Sequence, residues 1–354
     1  MKNIYCYISD KDYPGEGFAL ATVISSSGST PRKPGASAIF SRKGLEYGTI
    51  GGGVLEESVR QIVMNTSGES LSRIYHFDLD HDTSDSENAV CGGRVDVLVD
   101  SNIFSDISIP GKIAELTEKR IPLVLVSVIK EEENEKTLIN RYIVSKDYKD
   151  DIPMQYGHRP VKEALRMLEE GVKGSFESIT EATGLTVILE SLFPPPRLVI
   201  AGAGHVGRAV SHLGKFLGFE VTVIDERAEY ANTINLPDAD EIIAGRIGET
   251  IKKIVKDDRT YIVIVTHGHS KDAEALKACI GSNAVYIGMI GSRAKTAKMR
   301  RDFISNGWAT EEQWEKIHTP IGLEINSETV EEIAISIAAQ LVMVKNREFE
   351  KKRR

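Results

Sequence analysis

The sequence lacks long apolar runs, an excess of basic residues and paired cysteines, and each absence excludes a class of protein. No run approaches the roughly 18 apolar residues that a membrane-spanning helix requires. A formal net charge of −8 argues against nucleic acid as a main partner. The three cysteines, Cys6, Cys91 and Cys279, have no CxxC spacing, and the first residues lack the layout of a signal peptide. We therefore expect a reduced, cytoplasmic protein without a membrane span.

Consecutive prolines at 194–196 separate two halves of different pattern. Proline continues neither a helix nor a central strand, so a domain boundary belongs close to this run. A chain of 354 residues also exceeds the size of one ordinary core. We therefore expect two domains, residues 1–192 and 193–354.

The first half predicts an α+β domain. Apolar stretches bounded by turn residues predict strands, and apolar residues at helical spacing predict helices. The predicted strands are 18–24, 36–40, 72–77, 93–99, 123–129 and 186–190, and the predicted helices are 54–63, 112–119 and 161–170.

The second half alternates continuous apolar strands with helices, which is the pattern of a parallel sheet covered on both faces. The predicted strands are 197–201, 220–225, 241–244, 261–265 and 284–290, and the predicted helices are 206–217, 272–280, 292–306 and 328–345. The fold class predicted for the whole chain is α/β, with a C-terminal Rossmann-like doubly wound parallel sheet and an N-terminal α+β domain.

A GxGxxG turn, made by Gly202, Gly204 and Gly207, follows the first strand of the second half. In a nucleotide-binding turn the first glycine allows a tight bend, the second lets backbone approach a phosphate, and the third lets helix and strand pack closely. Asp225 follows about twenty positions later, where an acid takes the hydroxyls of a ribose. These residues predict a dinucleotide-type site. The alternative is a Rossmann-like domain that keeps the turn for packing and binds nothing.

Two further strand ends of the predicted sheet carry polar loops. His267, His269 and Asp272 follow the fourth strand, and Arg293 follows the fifth. Ligands of doubly wound sheets bind outside the carboxyl ends of the strands, where both loops belong. The histidines can bind a metal or move protons near pH 7, and Arg293 can hold a phosphate. The alternative for both is a solvated loop with a capping acid and an incidental arginine.

In the first half, Gly51, Gly52 and Gly53 open a predicted helix. Consecutive glycines can form a backbone nest for an anion or a close-approaching ring, with Arg32 as a phosphate partner and Glu56 as an acceptor for a heterocycle N–H. The alternative is a glycine-rich turn in which Glu56 favours the positive end of the helix dipole.

Two less specific candidates lie in the same half. Cys91 precedes two glycines and is either a nucleophile or sulfur carrier, or a small buried hydrophobe. The acidic loop at 78–87, with His76 and His81, is either a cation site or solvated surface. We assign no metal ligand from these patterns.

Together these motifs resemble the XdhC/CoxI family, whose members are accessory proteins that mature xanthine dehydrogenase and related molybdenum hydroxylases. The motifs occur in family order across both halves, whereas residues 100–191 carry little of the resemblance. They are GSTPRKPG at 28–35, GTIGGGVLE at 48–56, CGG at 91–93, VIAGAGHVGR at 199–208, VTHGH at 265–269 followed by Asp272, YIGMIGSR at 286–293 and PIGLE at 320–324.

The resemblance implies binding of the molybdenum cofactor, a pterin (molybdopterin) that carries a dithiolene and a phosphate. It also implies protection of that cofactor, support for its sulfuration with a cysteine desulfurase, and delivery to a xanthine dehydrogenase-type apo-hydroxylase. Arg32, the three glycines and Glu56 are then expected to hold the pterin, with Cys91 near the metal. The Rossmann-like loop is expected to bind a nucleotide or NAD(P). Such a protein is a cofactor chaperone rather than an enzyme with its own turnover, and its two nests favour a homodimer.

Two positions depart from the family pattern. Many relatives place Cys or His where this chain has Val54, and often an acid where it has Gly268. If the first position handles metal or sulfur in relatives, Val54 cannot do so here.

Two other functional classes are alternatives. The first is an NAD(P)-dependent oxidoreductase in which Asp225 binds the ribose and His267 or His269 transfers a proton. It leaves the glycines of the first half unexplained. The second is an interaction protein that binds no small ligand.

Overall fold

The computed structural model describes residues 3–11, 17–30, 32–65, 72–79, 93–131, 137–146, 148–153, 156, 158–171, 176–180, 185–254 and 257–353, with side chains at all of these except 176–180 and 348–353. The chain divides into two compact units between Pro194 and Pro195, close to the predicted boundary after residue 192. Cys91 and the acidic residues at 80–87 lie outside the described ranges. No helix within those ranges is long and apolar enough to cross a membrane.

The first unit contains two antiparallel sheets and the helices that cover them. Its helices are α1 (Ile4–Ser9), α2 (Gly53–Asn65), α3 (Ser108–Glu118) and α4 (Arg159–Glu170). Its strands are β1 (Phe18–Gly28), β2 (Ser37–Ser41), β3 (Gly44–Gly48), β4 (Arg73–Asp78), β5 (Gly93–Asp100), β6 (Leu123–Glu131), β7 (Thr137–Ser145), β8 (Phe176–Thr180) and β9 (Leu185–Leu192). One sheet has the order β3-β2-β1-β5-β4 and the other has the order β7-β6-β9-β8.

Strand β1 contributes buried side chains to both faces of the five-stranded sheet. Ala19, Ala21 and Val23 lie in one apolar cluster with Leu55 of α2. Leu20, on the opposite face, lies in the cluster that α1 and α3 build. Because successive side chains of a strand point to opposite faces, this one strand joins two layers of the core.

Strand β6 is apolar along most of its length because both faces of the four-stranded sheet are covered. Leu123 and Leu125 lie in the cluster with α1 and α3. Val124 and Val126 lie in the cluster with α4. The continuous apolar run therefore marks a central strand of an antiparallel sheet, and not the parallel strand that such a run often indicates.

The second unit is a doubly wound sheet. Its strands are β10 (Arg197–Ala201), β11 (Glu220–Asp225), β12 (Glu241–Ala244), β13 (Thr260–Ile264), β14 (Tyr286–Met289) and β15 (Ile317–His318). Its helices are α5 (His205–Phe216), α6 (Ile247–Lys253), α7 (His269–Cys279), α8 (Arg293–Ser305), α9 (Glu311–Glu315) and α10 (Val330–Arg353). The strand order is β12-β11-β10-β13-β14-β15, and every neighbouring pair is parallel.

Helices cover both faces of this sheet. Val210 of α5 and Ile337 of α10 lie in one core cluster, whereas Ile251 of α6, Leu276 of α7 and Phe303 of α8 lie in the other. The predicted fold class, a Rossmann-like parallel sheet after an N-terminal α+β domain, is confirmed. The sequence pattern did not predict α1, β3, β7, β8, α6, α9 or β15, most of which are short.

An ionisable side chain, Glu190 of β9, is enclosed within the first unit. The Tyr5 hydroxyl donates a hydrogen bond to Oε2 of Glu190 at 2.7 Å. Burial raises the pKa of Glu190 to about 7, although the bond from Tyr5 and the charge of Arg141 oppose the rise. This carboxyl therefore holds its proton in the folded protein at pH values where the unfolded chain has lost it.

We expect Glu190→Gln to gain stability relative to the parent protein as the pH rises from about 4.5 to about 7. The folded-state pKa lies above the unfolded value, so the stabilisation by this carboxyl is complete below the unfolded pKa and is lost as pH rises through the folded pKa. Urea unfolding at several pH values measures the difference, which should grow by at most about 1.4 kcal/mol per pH unit.

Glu163→Gln is the matched control for this measurement. Glu163 is a partly exposed glutamate of α4, and its hydrogen bond from Arg166 lowers its pKa. Its stability difference should therefore not grow over the same pH range. A pH-independent difference for Glu190→Gln would contradict the prediction.

Candidate functional site

The carboxyl ends of four neighbouring strands bring together the loops that were predicted in the second half. Ala201 of β10 lies opposite Ile224 of β11 and Ile264 of β13, and Ile264 lies opposite Met289 of β14. The loops that follow these strands therefore leave the same edge of the sheet. The chain proceeds outward in opposite directions from β10 and from β13, so the crevice between these two strands is the switch point where open α/β sheets bind ligands.

The chain itself requires two of the three glycines in the turn after β10. A Cβ on Gly202 would lie 2.4 Å from the carbonyl oxygen of Val265, and a Cβ on Gly207 would lie 1.9 Å from that of Gly202. Gly204 differs, because its φ is −71° and a Cβ there would meet no atom within 4 Å. The backbone at Gly204 is therefore open to a ligand, as the middle glycine of a phosphate-binding turn must be.

Asp225 supports this turn from within the protein. Its side chain is 5% exposed, and Oδ2 accepts hydrogen bonds from Ala203 N–H at 2.8 Å and from Arg227 Nη2 at 2.8 Å. Oδ1 accepts from the backbone N–H and Nε of Arg227 at 3.0 and 2.9 Å. Burial by itself raises the pKa of Asp225, but the hydrogen bonds from Arg227 and Ala203 lower it overall. The expected contact with a ribose stays a prediction, and it requires Arg227 to move.

Arg227 is the residue of this region that sequence reasoning missed. Its guanidinium covers one edge of the Asp225 carboxylate and lies 4.0 Å from the centroid of the Tyr230 ring. An arginine beside the acid at the end of the second strand is a known feature of sites that accept a ribose 2′-phosphate. Its position two residues after Asp225 was therefore a usable signal.

Asp272 holds the loop that follows β13. Its Oδ1 accepts hydrogen bonds from Thr266 Oγ1 at 2.6 Å and from Thr266 N–H at 3.2 Å. Burial raises the pKa of Asp272, against the effect of these two bonds. His267 on this loop and His269 at the start of α7 are exposed, and the described residues contain no group of three His, Cys, Asp or Glu side chains that could hold a metal ion. The catalytic roles expected for these three residues stay predictions.

The end of β14 presents cations to solvent. Arg293 begins α8 and is 86% exposed, with one long contact of 3.4 Å to Glu324. Lys295 and Lys298 of the same helix are also exposed. The guanidinium of Arg293 is thus available for the phosphate contact that the sequence predicts.

Two motifs of the first unit lie at one end of the five-stranded sheet. Strand β1 ends at Gly28, which pairs with Gly93 at the start of β5, so the loop with Arg32 leaves the sheet at this end. Strand β3 ends beside the start of β2, which brings the glycine turn at 51–53 to this end as well. The topology therefore brings together motifs that the sequence separates by about twenty residues.

The glycine turn of the first unit already contains a carboxylate. Oε1 of Glu56 accepts hydrogen bonds from Thr49 Oγ1 at 2.6 Å, Ile50 N–H at 3.1 Å and Gly52 N–H at 2.9 Å. Burial by itself raises the pKa of Glu56, but the bonds from Thr49 and the turn amides lower it overall. An external anion can reach these N–H groups only if Glu56 leaves them. The expected binding of an anion or a ring at Gly51, Gly52 and Gly53 stays a prediction.

The outer surface of this turn is open. A Cβ on Gly52 or Gly53 would meet no atom within 4 Å, and both residues have positive φ angles, 75° and 57°. Val54, the residue that follows the three glycines, is 56% exposed. Arg32 is exposed and forms no ion pair with any described residue. A flat ligand can therefore approach the backbone here, with a cation on a loop at the same end of the sheet.

The fold and these edge loops define a Rossmann-type protein with an additional antiparallel unit. Residues 198–341 match the XdhC Rossmann domain, and residues 14–78 match the XdhC and CoxI family. The chain belongs to the XdhC/CoxI family, which confirms the resemblance carried by its motifs.

Known relatives extend over the whole chain. A probable xanthine dehydrogenase subunit of Bacillus subtilis (strain 168) is 25% identical over 334 residues, or 94% of each chain. The uncharacterized protein YqeB of Escherichia coli (strain K12) is 25% identical over 330 residues, or 93% of this chain and 44% of that protein. A crystal structure described as a xanthine dehydrogenase from Bacillus halodurans has a TM-score of 0.72 at 23% identity and covers 97% of this chain and 95% of its own. At 23% identity this similarity shows that the two chains share a fold, and it shows nothing further.

Alanine at the three glycines after β10 should separate folding from binding. Gly202→Ala and Gly207→Ala should each lower the free energy of unfolding by more than about 2 kcal/mol, because a Cβ would overlap carbonyl oxygens. Gly204→Ala should lower it by about 1 kcal/mol or less, since alanine fits the backbone here without overlap and is only a poorer helix N-cap than glycine. Urea unfolding measures all three, and equal losses would contradict the assignment of Gly204 to a ligand.

Removal of the internal carboxylate should create an anion site in the first unit. Glu56→Ala should destabilise the protein by about 1 kcal/mol, because the N–H groups of Ile50 and Gly52 lose their acceptor. Phosphate should then restore part of the melting temperature of this variant and leave that of Glu57→Ala unchanged. Glu57 is the exposed neighbour that pairs with Arg60 instead. If phosphate does not raise the melting temperature of Glu56→Ala, the turn does not keep its shape without the carboxylate.

Proposed function

We propose that this chain is an accessory protein of a xanthine dehydrogenase-type molybdenum hydroxylase. In this proposal it binds the molybdenum cofactor, supports cofactor sulfuration together with a cysteine desulfurase, and delivers the cofactor to the apo-hydroxylase. Membership of the XdhC/CoxI family supports the accessory role. The name of the B. subtilis relative, which describes it as belonging to a xanthine dehydrogenase, supports the choice of partner.

One observation carries the proposal for the first unit, which is that the two carboxylate oxygens of Glu56 have different surroundings. Oε1 holds the glycine turn, and none of the hydrogen bonds from Thr49, Ile50 and Gly52 ends on Oε2. The lowered pKa keeps the carboxylate ionised, so Oε2 is an acceptor for the N–H groups of a pterin. The open backbone at Gly52 and Gly53 gives a flat ring room beside it.

The residues at this end of the sheet fit a pterin better than they fit a phosphate held in the nest. The turn amides are already bonded to Glu56, so the phosphate of the cofactor needs a different partner. Arg32, which has no ion pair among the described residues, is the proposed partner. The bound cofactor would supply the metal and the dithiolene, and Cys91 is proposed to lie near the metal.

The second unit is proposed to bind a nucleotide, either NAD(P) or the nucleotide part of a dinucleotide form of the cofactor. The open backbone at Gly204 and the switch-point crevice support this part of the proposal. An oxidoreductase that uses Asp225 for the ribose is less favoured, since both carboxylate oxygens are engaged within the chain.

Anaerobic titration with molybdopterin, followed by reconstitution of a desulfo-hydroxylase with a cysteine desulfurase present, tests the proposal. The parent protein should bind the cofactor and activate the hydroxylase. Arg32→Ala should weaken binding roughly tenfold or more, because it removes a charge-assisted contact to phosphate. Arg166→Ala, at an exposed arginine that pairs with Glu163 on α4, should leave binding unchanged.

Two outcomes would contradict the proposal. Folded protein that binds no molybdopterin under anaerobic conditions would exclude a chaperone of that cofactor. Nicotinamide turnover with small substrates, in a protein without pterin affinity, would favour the oxidoreductase instead.

A further inference from the structure

The second unit contains a cavity of about 820 Å³ at the amino ends of β14 and β15. Residues 281–285, which lead into β14, form part of its lining together with α9, which leads into β15. Because the strands of this sheet are parallel, the cavity lies at the edge opposite the glycine turn. A volume of this size is typical of small-molecule sites. Among the lining residues only Ile287, a core residue, belongs to a family motif.

His318 of β15 is a lining residue whose ring nitrogens have no hydrogen-bond partner within the described part of the chain. The ring is half-buried and stacks on Tyr286, with centroids 4.6 Å apart and an interplanar angle of 19°. Burial lowers the pKa of His318, so the ring is neutral at pH 7. A neutral imidazole offers one N–H donor and one nitrogen acceptor, and both are therefore left for a ligand or for water.

The stack on Tyr286 holds the His318 ring in place. Tyr286 is 1% exposed, and its hydroxyl donates a hydrogen bond to Oε1 of Gln340 at 2.6 Å. The same Oε1 accepts from the N–H of Gly322 at 2.9 Å, so Tyr286 is anchored to α10 and to the loop after β15. A ligand that bonds to a fixed imidazole does not have to order it first, which lowers the cost of binding.

Gln313 of α9 supplies a second polar group to the lining. Its Oε1 accepts a hydrogen bond from the N–H of Thr310 at 2.9 Å, which completes a capping box at the start of the helix and fixes the orientation of the amide. Nε2 donates to no residue that the structure describes, and a Cβ on Gly281 would lie 2.6 Å from this nitrogen. Glycine at 281 thus makes room for an amide whose N–H donors are left for a ligand.

The charged residues of the lining cancel one another. Lys316 pairs with Glu312 at 2.8 Å. Arg347 and Glu315 are exposed, carry opposite charges and form no ion pair with a described side chain. With no net charge in its lining, the cavity favours a neutral ligand over a phosphate or a carboxylate. The apolar part of the lining includes Val285, Ile287, Ile317 and Val344.

We propose that this cavity binds a nucleoside through its base, with His318 and Gln313 as the hydrogen-bonding residues. The edge of a nucleobase carries acceptors and N–H donors side by side, which match a neutral imidazole and an amide N–H. The flat faces of the base match the apolar part of the lining. This site goes beyond cofactor maturation, because none of the residues proposed to hold the pterin or the nucleotide lines it.

Calorimetric titration with adenosine and with ribose tests the proposal. The parent protein should bind adenosine and should not bind ribose, because ribose lacks the base. His318→Phe keeps a ring on Tyr286 and removes both nitrogens, so it should weaken adenosine binding roughly tenfold or more. His212→Phe, at an exposed histidine of α5, should leave adenosine binding unchanged. A parent protein that does not bind adenosine, or a His318→Phe protein with full affinity, would overturn the proposal.

Gln313→Glu separates a ligand contact from a structural role. Glutamate at this position keeps the acceptor of the capping box and lacks the Nε2 donors. The variant should keep the melting temperature of the parent protein and bind adenosine roughly tenfold more weakly. Gln61→Glu, at an exposed glutamine of α2, is the control and should leave adenosine binding unchanged. Unchanged adenosine affinity in Gln313→Glu would show that the amide acts only as a cap and would overturn the proposal.

Discussion

Carboxylates that accept hydrogen bonds from backbone N–H groups hold the loops of both candidate sites. Glu56 holds the turn of the first unit through Ile50 and Gly52, and Asp225 holds the turn of the second through Ala203. A sharp turn at a strand end leaves amide groups without partners, and a charged acceptor satisfies them more strongly than a neutral one. The exposed backbone of each turn keeps its shape because an acid supports it from the inner side.

This internal use of acids determines what a ligand can meet. Carboxylate oxygens that are bonded to their own loops do not face the ligand, so the groups left for recognition are open backbone, exposed cations and, in the first unit, the proposed acceptor Oε2 of Glu56. Arg32 lies on a loop at the relevant end of the first unit, and Arg293 lies at the edge of the second. The chain carries a net charge of −8, but both candidate sites present cations to an approaching anion.

The sequence predicted strands and the positions of site residues better than the orientations of side chains. Strands β10 and β13 appear as short, continuous apolar runs because both of their faces are buried. Strand β7 was missed because it carries the buried Arg141, which pairs with Asp100 at 2.6 Å, a contact that no local pattern contains. Spacing placed Asp225 and Asp272 near strand ends, where the structure has them. Whether such an acid faces a ligand or its own loop depends on neighbours such as Arg227, whose contacts form only when the chain folds.

A residue that the folded chain does not need for its own structure is stronger evidence for a ligand than a residue that the structure requires. Asp225 and Gly202 match the pattern of a dinucleotide site, yet the turn needs both of them even if nothing binds. Gly204 has no such explanation, because its backbone is unstrained and a Cβ there would meet no atom within 4 Å. A fold that needs its acid for architecture and keeps one glycine free is compatible with the proposed approach of a phosphate to the turn. It does not indicate hydride transfer, and the Rossmann order of the sheet is therefore compatible with a protein that handles a cofactor for another enzyme.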